Sequence, residues 1–314
     1  MPTLKPKPSP RRTIAIADPR LERVLHFGPG RFLMIAGPCA VETRKQLMAT
    51  ARAVAAAGAD LLRGGAFKPR TRPDSFQGLG KQGLELLSEA SQETGLPIVT
   101  EVLDPRDVEL VSRHAALLQI GSRNMQNFAL LREVGRSGMP VLLKRGPAAT
   151  LAEFTAAADY VLAEGNERII LCERGVRGFE PTVRYTLDLS AVPILQQTTR
   201  FPIVVDPSHA TGRRDLVHSM ALAAVGAGAD GLMVEVHPDP KRALSDGPQA
   251  LRLPDFVALM ADLRRWIPLT GRRMSTVSEV RSRVRSEELR PVKVASEKVA
   301  SEKVTSERTR ARAE

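Results

Sequence analysis

The chain of 314 residues carries 46 Lys/Arg against 35 Asp/Glu, a net charge of +11, and 43% of it is hydrophobic. It is long and apolar enough to bury a sizeable core, yet no apolar run nears the roughly 18 residues that a membrane span needs. Two cysteines, Cys39 and Cys172, make no disulfide framework, and "MPTLKPKPSPRR" at the N-terminus lacks the apolar segment of a secretory signal, so the expected compartment is the cytoplasm.

Residues 1–31, with seven Lys/Arg against two acids, read as a short basic extension. Eight short apolar runs follow: "FLMIAG" (32–37), "DLLRGG" (60–65), "PIVTEV" (97–102), "LLQIGS" (117–122), "PVLLKRG" (140–146), "RIILCERG" (168–175), "PIVVDPSH" (202–209) and "GLMVEVH" (231–237). Each is too short for a helix and rich in Ile, Val and Leu, the composition of parallel strands buried on both faces. Helix-period segments lie between them, such as "TRKQLMATARAVAAAG" (43–58) and "RRDLVHSMALAAVGAG" (213–228), several ending in a Gly that stops the helix.

Alternating β and α elements predict a parallel sheet with right-handed crossovers. Eight units within residues 32–270 match the usual size of a (β/α)8 TIM barrel, about 250 residues. An open doubly wound sheet is the rival, but its Gly-rich fingerprint after the first strand is missing. The expectation is an α/β fold with one barrel domain over 32–270.

Residues 271–314 form a low-complexity tail in which "VASEK", "VASEK" and "VTSER" repeat at 294–308, with twelve Lys/Arg against seven acids. A period of five fits neither a helix nor a strand face, so the tail is expected to be solvated and disordered. The barrel segment, with 27 Lys/Arg against 26 acids, is balanced. The basicity therefore sits in the two extensions, and no nucleic-acid partner is expected.

Polar residues appear where the strands run out: Cys39, Arg63, Glu101, Arg123, Lys144, Arg174, His209 and Glu235. In a barrel all strand C-termini meet at one rim, where active sites lie. Cys39, His209, Glu235 and Asp246 could together hold a divalent cation. Spacing alone leaves Cys39 open to a packing role and His237 open as an alternative ligand. His26, His114 and His218 read as helix or surface residues, and Cys172 as packing. In "LLRGGAFKPRTRPDS" (61–75), Arg63, Lys68, Arg70 and Arg72 meet only one acid, Asp74. Of these, Arg63 and Lys68 join Arg123, Lys144 and Arg174 in pointing to a phosphorylated, carboxylated substrate, because the planar arginine fork suits both groups. Arg70 and Thr71 lie further out and suit a second phosphate; Arg72 reads as solvated.

The motifs "AGPCAVE", "LLRGGAFKPRT", "SFQGLG", "IGSRNMQN", "LLKRG", "CERG", "VVDPSHATGRR" and "EVHPDPKRALSDG" together resemble the 3-deoxy-7-phosphoheptulonate (DAHP) synthases, type I beta branch, from about residue 32 to 265. The resemblance implies condensation of phosphoenolpyruvate with erythrose 4-phosphate, opening the shikimate pathway. It implies one divalent metal ion (Mn, Fe, Co or Zn) on Cys39, His209, Glu235 and Asp246. Phosphoenolpyruvate would be held by Arg63, Lys68, Arg123, Lys144 and Arg174, and the phosphate of erythrose 4-phosphate by Arg70 and Thr71. Lys68 would donate a proton and Glu101 orient water or the cations. A homotetramer or homodimer is implied. Related enzymes of the branch often carry an N-terminal regulatory domain or a fused chorismate mutase, and residues 1–31 are expected to be too few for either.

Two segments depart from the family pattern. "KPRTRPDSFQG" stands for "KPRTSPYSFQG", and "RGFEPTVRYTLD" for "RTFETATRNTLD". The nearest rival, 3-deoxy-D-manno-octulosonate 8-phosphate synthase, uses arabinose 5-phosphate and has "KANRS" in place of "KPRT". A non-catalytic barrel that binds anions or nucleic acid through its basic tails is the alternative of another class.

Overall fold

The structure, a computed structural model, describes residues 10–70 and 72–274. Thr71 and the repeat tail lie outside the described residues. Eight parallel strands close into a barrel: β3 (Arg31–Gly37), β4 (Leu61–Arg63), β5 (Ile98–Glu101), β6 (Leu117–Ile120), β7 (Val141–Lys144), β8 (Ile169–Glu173), β9 (Ile203–Val205) and β10 (Gly231–Glu235). Closure is direct, since β3 pairs in parallel with both β4 and β10. These strands fall on the eight apolar runs.

Helices cover the outside: α1 (Arg44–Ala57), α2 (Lys81–Thr94), α3 (Val108–Ser112), α4 (Phe128–Arg136), α5 (Leu151–Ala163), α6 (Ala191–Thr198), α7 (Pro207–Thr211), α8 (Arg214–Gly226) and α9 (Leu253–Trp266). Thr43 caps α1 through the Gln46 amide, and Gly58 ends it in the left-handed region, as a helix stop requires. Thr150 and Glu153 form a reciprocal capping box on α5. Among the described residues no helix is long and apolar enough to cross a membrane.

Strand alternation divides the core in two. Leu33, Ile35, Leu61, Val99, Leu117, Leu142, Ile170, Val204 and Met233 fill the barrel interior, and Cys172 packs among them. Phe32, Met34, Ala36, Leu62, Ile98 and Leu118 face the helices. This two-sided burial is why the strands read as continuous apolar runs.

A hairpin precedes residue 32, inside the segment expected to be only a basic extension. β1 (Ile14–Asp18) and β2 (Arg23–Phe27) pair antiparallel. Their Ile14, Ile16, Leu25 and Phe27 join the interior cluster and plug the barrel at the N-terminal ends of its strands. Each strand is five residues of alternating burial, broken by charges, which hides it from a search for continuous apolar runs. A short strand β11 (Arg273–Met274) adds in parallel to the start of β3.

Candidate active site

Arg63, Glu101, Lys144 and Glu235 are the last residues of β4, β5, β7 and β10, and Arg174 follows β8 directly. Cys39 lies just past β3, and His209 on the one-turn helix after β9. Closure of a parallel barrel gathers these ends around one mouth. A cavity of about 400 Å³ opens there, and its walls include Arg63, Lys68, Arg70, Glu101, Arg123, Lys144, Arg174, His209 and Asp246. A larger surface depression beside α8 and α9 lies away from these groups. It pairs Arg213 with Asp215 and Arg252 with Asp255 and holds none of the residues that converge at the strand ends.

Cys39, His209, Glu235 and Asp246 converge, each offering one ligand atom within 4.8 Å of the others. His209 Nε2 stands 3.1 Å from Glu235 Oε1 and 3.9 Å from Asp246 Oδ2, and Cys39 Sγ is 3.0 Å from Asp246 Oδ2. Asp246 sits at φ 54, a left-handed conformation that Asp tolerates better than most residues. The other ring nitrogen of His209 is 2.7 Å from Asp206 Oδ2, and Asp206 Oδ1 accepts the His209 amide. A carboxylate on the far nitrogen is the usual device for orienting a metal-ligating imidazole. His237 is not part of the cluster; it pairs with Glu42 at 3.4 Å.

This donor set fits a divalent cation. Burial alone would raise the Glu235 carboxyl, but His209 and Arg63 outweigh it and hold it well below the usual carboxylate range. Asp246 is also lowered: burial and Glu235 oppose its charge, while His209, Cys39 and Arg184 favour it. Burial pushes the Cys39 thiol up to about 12, and Glu235 adds to the effect, so a cation must displace a thiol proton on binding.

The cations are engaged to different degrees. Arg63 Nη1 donates to Glu235 Oε1 at 2.6 Å. Lys144 donates to Asp206, and Lys68 Nζ to Cys39 Sγ at 3.0 Å and the Cys39 carbonyl at 3.2 Å. Burial opposes the Lys68 ammonium, but Cys39 and Glu101 outweigh it and raise its pKa. Arg123 reaches the Pro69 carbonyl at 3.1 Å and Arg70 the Phe76 carbonyl at 2.7 Å. Arg63 Nε, Arg70 Nη2 and Arg174 Nε are buried without a hydrogen-bond partner. Orphaned buried donors of this kind call for an acceptor. Arg72 and Asp74 are exposed.

Sequence reasoning passed over Asp206, Arg184, Tyr185 and Gln249. Arg184 Nη1 bonds Asp246 at 3.1 Å and Gln249 at 3.3 Å, and Gln249 donates to Glu235 Oε2 at 2.7 Å. Asp206 carried a usable signal, standing before Pro207 at the cap of a Pro-led helix. Gln249 ends a short Pro-led turn, Gly247–Gln249, while Arg184 and Tyr185 lie in a loop without such punctuation.

A closed parallel barrel with a four-ligand cluster beside an arginine-lined cavity, all at one rim, defines a barrel enzyme that handles an anionic substrate. The chain belongs to the DAHP synthetase I family, whose pattern matches residues 17–266. It is similar to the phospho-2-dehydro-3-deoxyheptonate aldolase of Thermotoga maritima, 51% identical over 245 residues, which cover 78% of this chain and 72% of the relative. A more distant relative is the 2-dehydro-3-deoxyphosphooctonate aldolase of Syntrophotalea carbinolica, 35% identical over 260 residues, covering 77% of this chain and 91% of the relative. The crystal structure of a Thermotoga maritima DAHP synthase matches with a TM-score of 0.80 at 47% identity, covering 85% of this chain and 76% of that one.

Proposed function

We propose that the protein condenses phosphoenolpyruvate with erythrose 4-phosphate to give 3-deoxy-D-arabino-heptulosonate 7-phosphate and inorganic phosphate, the opening step of the shikimate pathway, in the cytoplasm. Carbon 3 of phosphoenolpyruvate bonds to the aldehyde carbon, water adds at carbon 2, and phosphate leaves with cleavage of its C–O bond. The observation that carries this reading is the set of orphaned guanidinium donors on Arg63, Arg70 and Arg174, all on the wall of one cavity.

In this reading Arg63, Lys68, Arg123, Lys144 and Arg174 hold the phosphate and carboxylate of phosphoenolpyruvate. Their charge offsets that of a substrate which must sit close to a second phosphate. Arg70 and Thr71 hold the phosphate of erythrose 4-phosphate. Cys39, His209, Glu235 and Asp246 would hold a divalent cation, Mn, Fe, Co or Zn, which supplies Lewis-acid polarisation of the aldehyde when bound. Lys68, whose ammonium Cys39 and Glu101 favour against the cost of burial, stands ready to give a proton to the oxygen that becomes an alkoxide. Glu101, against Gln119 at 3.4 Å, faces the same cavity and orients the water.

The test is phosphate release from phosphoenolpyruvate with erythrose 4-phosphate or arabinose 5-phosphate as acceptor, before and after EDTA. Release with the four-carbon sugar, lost on chelation and restored by Mn, is the expected result. Preference for arabinose 5-phosphate would move the protein to the activity named for its 35% identical relative. Turnover that survives complete metal removal would sink the metal assignment.

A further inference from the structure

The buried cations of the cavity lean on anionic or sulfur partners: Arg63 on Glu235, Lys144 on Asp206, Lys68 on Cys39. Arg174 does not. It is only 5% exposed, has no carboxylate at ion-pair distance among the described residues, and keeps its Nε buried and unbonded. Its guanidinium carbon instead lies 4.4 Å from the ring centroid of Tyr185. Tyr185 belongs to the segment "RGFEPTVRYTLD" and stands where the family pattern "RTFETATRNTLD" has Asn.

The chemical difference between the two kinds of partner is large. A carboxylate would orient the arginine but occupy its donors and neutralise the charge that an anionic substrate needs. An aromatic face attracts the cation through its quadrupole and leaves the N–H groups in the guanidinium plane open. We infer that Tyr185 is a positioning residue, whose ring holds Arg174 in the orientation that receives phosphoenolpyruvate without neutralising its charge. This rests on the phosphoenolpyruvate reading above.

The backbone fixes the ring in place. The Tyr185 amide donates to the Ala210 carbonyl at 2.7 Å, while Val176 and Thr186 exchange two hydrogen bonds of 2.9 Å. Between Arg174 and Val176, Gly175 adopts φ +89, and a Cβ there would meet Tyr185 Cβ at 2.8 Å. Glycine is therefore what lets the aromatic segment close on the end of β8. Arg184 approaches the same ring at 5.6 Å. Burial alone would raise the Tyr185 phenol, yet the charges of Arg174 and Arg184, and the hydrogen bonds both give its oxygen, outweigh burial and lower it.

The experiment compares Tyr185→Leu, Tyr185→Asn and Tyr185→Phe with the parent in steady-state kinetics, alone and in an Arg174→Ala background. Loss of a cation–π contact predicts that Tyr185→Leu and Tyr185→Asn raise KM for phosphoenolpyruvate between about twofold and thirtyfold, with kcat, KM for erythrose 4-phosphate and melting temperature little changed. Tyr185→Phe, which keeps the ring face, restores KM to within about twofold of the parent value. In the Arg174→Ala background the Tyr185 substitutions add no further rise. A KM that is unmoved in both Leu and Asn variants overturns the inference. So does a Phe variant as impaired as Leu, which would assign the effect to the hydroxyl, or full additivity with Arg174→Ala. If Arg174→Ala itself leaves KM for phosphoenolpyruvate unchanged, the substrate reading beneath the inference has failed, and the inference falls with it.

Discussion

Arg63 Nη1 lies 2.6 Å from Glu235 Oε1 across 172 positions of sequence, and both side chains are removed from water. The pair joins the anion-binding wall of the cavity to the ligand cluster, so a change on one side is felt on the other. Removing one member of a buried ion pair leaves an uncompensated charge, which costs about 3–5 kcal/mol. Glu235 keeps Gln249 and His209 as neighbours. We expect Arg63→Ala to lower the stability of EDTA-treated protein by about 3 kcal/mol in urea unfolding, the lower end of that range. The loss should shrink when Mn is restored, because the cation takes over neutralisation of Glu235. An unchanged urea midpoint would show that the pair contributes no stability.

Asp206 braces two functional side chains at once, His209 and Lys144. Outer partners of metal-ligating imidazoles are worth about 10–100-fold in affinity. Asp206→Asn is therefore expected to weaken Mn binding by about that factor, measured by competition with a chelating dye. Retention of parent affinity would mean that the ring is held by packing alone.

Gly121 isolates the contribution of Glu101. Its φ of −68 is open to any residue, but a Cβ there would lie 1.9 Å from Glu101 Oε1. Gly121→Ala must therefore push Glu101 aside without straining the backbone. Turnover should fall by up to the roughly 10²–10⁴-fold that a positioned acid–base group supplies, against a stability loss of only about 1–3 kcal/mol. In a Glu101→Ala background the same substitution should have little further effect on kcat. Full additivity would place the damage elsewhere.

The hairpin offers a separation of stability from activity. Phe27 is fully buried within the interior cluster, at the end of the barrel opposite the cavity. Phe27→Ala should cost about 3–5 kcal/mol in urea unfolding, while kcat/KM at 25 °C holds near the parent value. A parallel collapse of kcat/KM in protein that is still folded would show that the plug controls the rim.

Much of this architecture is legible along the chain because its causes are local. Eight Ile/Val/Leu runs announce parallel strands, since strands buried on both faces need no alternation. Gly58 marks the end of α1 because only the left-handed region closes that turn. Once the barrel is recognised, its geometry brings Arg63, Glu101, Lys144, Arg174 and Glu235 to one rim without further information. The hairpin was harder: Ile14, Ile16, Leu25 and Phe27 alternate with polar residues over only five positions per strand, a pattern too short to separate from an extended tail.

What tertiary structure alone decided is who partners whom. Nothing in the composition of "LLRGG" pairs Arg63 with Glu235, or leaves Arg174 to a tyrosine ring instead of an acid. Those choices depend on distances of a few ångströms between side chains from different strands and loops, which strand register and loop path set together. Charge interactions change steeply over such distances in a buried site. The sequence by itself therefore determined the barrel and the membership of its rim, and only the folded chain determined which partner each of those charges takes.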